Sequence, residues 1–277
     1  MVQRPLGNHH HGPDTLLVTS DATSDAISDA ISDATYDAVS GTKALHELIG
    51  RARVVLWDFD GPVCRLFAGH SARRVARALV EWLEGQGLRG LLEDGERDTA
   101  DPHVVLRAVD RRHPGSDLLT ELEEHLTRHE LRAVSSAMPT AFADPLIRTW
   151  AAVGVRLAVA TNNSPRGVRA YLDGRGLADC FPYIYGRTAD LHLLKPHPHC
   201  LHLALNATGA APEEALMIGD TATDFQAAAT AGVPFLGYAR NLRKEKRLRE
   251  AGATTVVNSL EPVLDAVRRR DRAAGAP

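Results

Sequence analysis

From residue 51 onward, short β-branched apolar runs recur along the chain, each followed by a turn signal and then by a helical pattern. "RVVLWD" (53–58), "VRLAVAT" (155–161), "ALMIGD" (215–220), "VPFLGYA" (233–239) and "TTVV" (254–257) have this character, and "YIYG" (183–186) is a weaker sixth. Apolar strands separated by helices are joined by right-handed crossovers, which build a parallel sheet covered on both faces. The fold class that follows is α/β, a Rossmann-like parallel sheet with flanking helices. Helix punctuation agrees with it. In "DPLIRTWAAVG" (144–154) Asp144 is placed as N-cap, Pro145 as the first helical residue and Gly154 past the end. Gly232 closes the helix after "FQAAATA" in the same manner.

Two stretches break the alternation. Residues 65–143 show no strand pattern but several amphipathic ones. Val75, Leu79, Val80 and Leu83 share one face, as do Leu118, Leu119, Leu122 and Leu126 behind a capping Ser116. This interval reads as a helical cap domain set into a core made of residues 51–64 and 144–277. It enters after the first strand, so it stands where a lid over that strand's end would stand. The other exception is residues 1–50. Positions 20–39 run SDAT-SDAI-SDAI-SDAT-YDAV, with six Asp and no Lys or Arg between Arg4 and Lys43. A helix would stack those Asp four residues apart, where like charges repel. The segment is expected to be a disordered or weakly structured acidic extension.

Composition narrows the function classes. A formal net charge of -3 over 277 residues gives no electrostatic case for nucleic acid or an acidic membrane as partner. No apolar run approaches the ~20 residues that cross a bilayer. The beginning "MVQRPLGNHHHGPD" has no apolar secretory segment. The three cysteines, Cys64, Cys180 and Cys200, have no metal-binding spacing and leave one unpaired, which points to a reducing cytoplasm. Only four of the 32 basic residues are Lys, at 43, 195, 244 and 246. The basic run "RNLRKEKRLRE" (240–250) is expected to coat the helix before the last strand. The sequence carries no signal of oligomeric state.

Polar groups follow the strands. Asp58 and Asp60 end the first, and Thr161, Asn162 and Asn163 follow the second. Lys195 in "LLKPHP" precedes a helix, and Asp220 and Asp224 lie in "GDTATD". In a parallel sheet all of these reach one edge. Like charges ~4 Å apart repel by roughly 4 kcal/mol at an effective dielectric of ~20, so four gathered carboxylates require cations. Lys195 supplies one charge, and the all-oxygen donor set Asp58, Asp60, Asp220 and Asp224 suits Mg2+. Such a site fits a phosphoryl group, with Gly61, Thr161, Asn162 and Lys195 placed to bind it. Asp58 suits a nucleophile that forms an aspartyl-phosphate, and Asp60 an acid that protonates the leaving oxygen. Gly61 lets the chain turn sharply behind them.

Asp58-Phe59-Asp60-Gly61, Thr161-Asn162, Lys195-Pro196 and Gly219-Asp220-Thr221-Ala222-Thr223-Asp224 resemble, in order, the four motifs of the haloacid dehalogenase-like hydrolase superfamily. "KPHP" and "GDTATDFQAAATAGV" are similar to its phosphoglycolate-phosphatase-like branch. The resemblance covers residues 51–265. It implies a helical C1-type cap, Mg2+ dependence and hydrolysis of a small-molecule phosphomonoester. By motif, Asp58 resembles the nucleophile and Asp60 the acid/base whose carbonyl also meets the metal. Thr161 and Lys195 resemble the phosphate holders, Asp220 a metal ligand, and Asp224 a ligand or a carboxylate just behind one. Pro62 and "CRLF" depart from the pattern in the segment that leads to the cap. The alternatives to a phosphatase are a phosphomutase of the β-phosphoglucomutase kind and a non-catalytic regulatory or binding protein.

Overall fold

In the computed structural model, which describes residues 41–274, all six expected strands form and join one sheet. Its centre is β1 (Val54–Trp57), flanked by β4 (Arg156–Ala160) and β6 (Ala215–Gly219). Outside them lie β5 (Tyr183–Tyr185) on one side and β7 (Phe235–Tyr238) and β8 (Val256–Val257) on the other. The order is β5-β4-β1-β6-β7-β8 and every pairing is parallel. The chain therefore moves outward from β1 to β5, then returns across β1 to start β6. Open α/β sheets bind ligands at the carboxyl ends of strands where direction reverses in this way, here between β1 and β6.

The period of two along each strand divides its residues between two apolar layers. Val55 and Trp57 join Leu157, Val159, Leu216 and Ile218 on one face. Val54 and Leu56 join Ala158, Ala160 and Met217 on the other. The first layer is closed by α6 (Ala143–Ala152), α7 (Pro165–Arg175) and α11 (Glu261–Ala274). The second is closed by α8 (His199–Thr208), α9 (Ala222–Thr230) and α10 (Leu242–Glu250). Both faces being covered, β1 reads as an unbroken apolar run, and Trp57 packs edge-on against Trp150 at 5.8 Å.

Residues 41–51 form a helix, α1, whose Leu45 and Ile49 are buried in the first layer. For residues 41–50 this differs from the expected disordered or weakly structured extension. The Asp repeat stops at residue 39, and Leu45, Leu48 and Ile49 then recur at helical spacing. Residues 1–40, with the rest of that reading, lie outside the described residues.

Between β1 and β4 stand α2 (Ala72–Gly85), α3 (Asp94–Arg97), α4 (Pro102–Arg112) and α5 (Asp117–Val134). Of these, α2, α4 and α5 share an apolar cluster that includes Val75, Leu79, Leu83, Leu106, Leu122 and Leu126, and Leu191 and Leu194 join it from the segment leading to Lys195. Ser116 caps α5, its hydroxyl accepting from Leu119 N–H at 3.2 Å. The two connecting segments pair as short antiparallel strands, β2 (Cys64–Arg65) and β3 (Met138–Pro139). At two residues each they are too short to leave a sequence period. A second correction concerns α6, which starts at Ala143 behind Phe142, so Asp144 is not its N-cap. Asp144 lies in the first turn, where the helix dipole favours an acid, and its carboxylate accepts from Arg175 Nε at 3.0 Å.

Candidate active site

Asp58 leaves the end of β1 with its backbone N–H on Ile218 O at 2.9 Å, which fixes it beside β6. Its side chain is 9% exposed. Lys195, brought in ahead of α8, is fully enclosed and places Nζ 2.9 Å from Asp58 Oδ1, 2.6 Å from Asp224 Oδ1 and 2.9 Å from Ala160 O. An ammonium has three protons to donate, and all three are used. Burial would lower the Lys195 pKa, but the Asp224 and Asp58 carboxylates outweigh it and raise it, so the lysine stays charged.

Asp224 sits in the first turn of α9. Its Oδ2 accepts from Asp220 N–H at 3.0 Å, Thr221 N–H at 2.9 Å and the Thr221 hydroxyl at 2.7 Å. Both of its oxygens are thus engaged, one by the turn and one by Lys195. Asp220, 3% exposed at the end of β6, pairs through Oδ2 with Lys244, while its buried Oδ1 has no hydrogen-bond partner among the described residues. One oxygen from each of Asp58, Asp220 and Asp224 lies within 4.8 Å of the others. Gly61 makes room for this packing. At φ +138° it brings the backbone so close that a Cβ there would stand 2.2 Å from Asp220 Oδ2.

These residues fit a divalent cation by three observations: the unpartnered buried carboxylate oxygen, the crevice left by Gly61, and an all-oxygen donor set that favours a hard ion. Asp58 and Asp220 have acceptor capacity left for it.

Asp60 faces the same crevice. Leu66 N–H donates to its Oδ1 at 2.8 Å. Burial pushes its pKa up to about 6, with the Asp58 charge adding to the rise, and Leu66 N–H and Lys244 opposing it. Thr161, after β4, is 1% exposed and its hydroxyl bonds Asn163 Oδ1 at 3.1 Å. Asn162 clamps the backbone of Lys195. Its Oδ1 accepts from Lys195 N–H at 2.8 Å and its Nδ2 donates to Lys195 O at 3.1 Å. A cavity of about 260 Å3 is lined by Asp58, Asp60, Thr161, Lys195 and Asp224, with Phe67 and His103 contributed by the inserted segment. A second, of about 460 Å3, shares Asp60 with it and is lined by Asp220, Arg65, Arg73, Arg240 and Lys244.

Three contributors were not anticipated. Lys244 belongs to the basic run expected to coat its helix, yet its ammonium is on Asp220 and its side chain is only 28% exposed. The scarcity of Lys in an Arg-rich chain, which singled out Lys195, applies equally to it. His103 reaches Asn162 O at 3.1 Å. Arg187, after β5, makes a bidentate pair with Glu130 of α5 at 3.0 and 2.8 Å, both side chains being wholly buried. Glu130 also accepts from Asn163 Nδ2 and Ser164 N–H, each at 3.0 Å, so the insert grips the loop that holds Thr161. No local pattern marks such a pair, because its partners are 57 residues apart.

A family profile described as haloacid dehalogenase-like hydrolase matches residues 15–232. The phosphoglycolate phosphatase of Yersinia pseudotuberculosis is 31% identical over 194 residues, 67% of this chain and 80% of that protein. That of Rhodospirillum rubrum is 40% identical over 112 residues, which span 39% of this chain and 45% of that protein. Among solved structures, CbbY from Rhodobacter sphaeroides in complex with phosphate superposes with a TM-score of 0.58 at 22% identity, covering 78% of this chain and 99% of that one, a likeness of fold. On the extent of the profile match and of the Yersinia alignment, the chain belongs to the haloacid dehalogenase-like hydrolases.

Proposed function

We propose that the protein is a phosphatase that hydrolyses a small-molecule phosphomonoester through an aspartyl-phosphate on Asp58. The observation that carries this reading is the juxtaposition of a buried Asp58–Lys195–Asp224 ion array with an unpartnered Asp220 oxygen at the switch point of the sheet. Asp58, Asp220 and the Asp60 carbonyl would hold Mg2+, which when bound supplies charge neutralisation for the phosphoryl oxygens. Lys195 adds a fixed positive charge, and the Thr161 hydroxyl and the backbone N–H groups beside it are donors for the same oxygens.

In the first half-reaction the Asp58 carboxylate attacks phosphorus, a new P–O bond forms to Asp58, and the ester P–O bond breaks. Asp60, its pKa raised to about 6, gives its proton to the departing alkoxide. In the second, a water attacks the phosphoryl group, Asp60 takes the water's proton, and the bond to Asp58 breaks to release phosphate. Phosphoglycolate heads the list of candidate substrates, since the relatives of Yersinia and Rhodospirillum are named for its hydrolysis. Three free cysteines agree with a cytoplasmic setting, and no helix among the described residues is long and apolar enough to cross a membrane.

The test is a panel of phosphomonoesters, phosphoglycolate and hexose phosphates included, assayed for free phosphate with and without Mg2+. Asp58→Asn is expected to lower kcat by about 10^4-fold or more, as removal of a covalent nucleophile does. Equal activity in wild type and D58N would overturn the mechanism, and an isomerised sugar phosphate without free phosphate would overturn the hydrolytic outcome.

A further inference from the structure

We infer that Lys244 is a tethered cation that holds Asp220 until a divalent ion displaces it, so that the chain carries a competitor for its own metal. The inference rests on the metal site proposed above. It concerns how that site is governed, which neither the motifs nor the relatives address.

Four carboxylates, Asp58, Asp60, Asp220 and Asp224, border the crevice and two ammonium groups face them. Lys195 cannot be spared, because its three protons are committed to Asp58, Asp224 and Ala160 O. Lys244 is held differently. Its backbone is anchored, since Lys244 N–H donates to the Asn241 side chain that caps α10 at 2.9 Å, and its ammonium is paired with Asp220. The Asp220 side chain is 1% exposed and the Lys244 side chain 28%, so the lysine is the partner with access to solvent. Four rotatable bonds let such a side chain leave without moving the helix.

A single positive charge leaves Asp220 half answered. Its Oδ1 stays unpartnered inside the protein, a costly state for a carboxylate oxygen. A divalent ion bound by Oδ1 and Asp58 would answer it, but an ammonium still on Oδ2 of the same carboxylate would stand within a few ångströms of that ion, and the two cations repel. The lysine has a place to go, because the 460 Å3 cavity opens beside it. That cavity also holds Arg65, Arg73 and Arg240, so an ammonium moved into it meets like charges. Displacement is therefore uphill, and metal affinity is set lower than the carboxylates alone would give.

Calorimetric titration of Mg2+ into the metal-free full-length protein tests this without using activity. Lys244→Met keeps the aliphatic stem and is expected to bind Mg2+ roughly tenfold more tightly than wild type, the order that removal of one competing charge implies. Lys244→Arg keeps the charge and should stay within about threefold of wild type. A thermal melt in EDTA supplies a second readout: K244M should melt several degrees below wild type, and saturating Mg2+ should close the gap. Equal or weaker Mg2+ binding by K244M, or an unchanged melting point in EDTA, would overturn the inference while leaving the phosphatase reading intact. Absence of Mg2+ binding by wild type and variants alike would overturn both.

Discussion

Asp60 shows how one side chain can have its chemistry set by position. Its carboxyl titrates at about 6 rather than 3.8, chiefly because burial disfavours the charged form. The folded value lies above the unfolded one, so between about pH 4 and pH 6 the folded protein binds more protons than the unfolded chain. The stability this group contributes is complete below its unfolded value and is lost as pH rises through 6. Asp60→Asn removes the titration. In EDTA, the unfolding free energy of wild type relative to D60N should fall by about 2 kcal/mol from pH 4 to pH 7, a figure discounted because Asp60 is half-buried. Denaturant titrations of both proteins at the two pH values check it, and a constant difference would contradict it. At this scale the sequence was informative where residues sit in runs. Asp58, Asp60, Thr161, Lys195, Asp220 and Asp224 each adjoin a strand or open a helix, and a parallel sheet must bring them to one edge. Lys244 was not visible in this way, because a lysine in the first turn of a charged helix looks solvated until its ammonium is seen on Asp220.

Strands were legible because their apolar runs are covered on both faces, and even the weak "YIYG" run pairs with β4. Helix starts were less so. Phe142, not Asp144, precedes α6, and it adopts φ +65°, a left-handed conformation that non-glycine residues seldom take. A propensity rule for caps has no access to that choice. The pairing of α5 with the loop after β4 was also out of reach, since it joins distant elements through wholly buried charges. It carries a measurable consequence. Among the described residues, Glu130→Ala leaves the buried Arg187 with only Glu123, at 2.9 Å, for a carboxylate partner and removes the acceptor of Asn163 Nδ2 and Ser164 N–H. Loss of about 3–5 kcal/mol of stability is expected, as for other buried pairs broken on one side, and urea unfolding measures it. Phosphatase activity should fall as well, because the Thr161 loop loses its grip.

The described residues from 43 onward fall in a single compact unit, although the helical insert has an apolar cluster of its own. Two features bind the insert to the sheet. Leu191 and Leu194, from the chain between β5 and α8, complete the insert's cluster, and the Arg187–Glu130 pair crosses the boundary. Differential scanning calorimetry should therefore show one transition for insert and sheet together, and an earlier, separate melting of the insert would contradict this. Topology at this level followed from the alternation of runs and helices, whereas the coupling between layers depends on side chains that no periodicity reveals.

The contact of Gly61 with Asp220 has one more outcome. A saturation library at codon 61 should return almost nothing but glycine among active clones, although that residue offers no functional group to a ligand. The smallest possible replacement, alanine, would drive its methyl into the carboxylate and tilt it away from Asp58. Tolerance to replacement at this position is thus dictated by a steric limit of a few tenths of a nanometre, and not by any chemistry glycine performs.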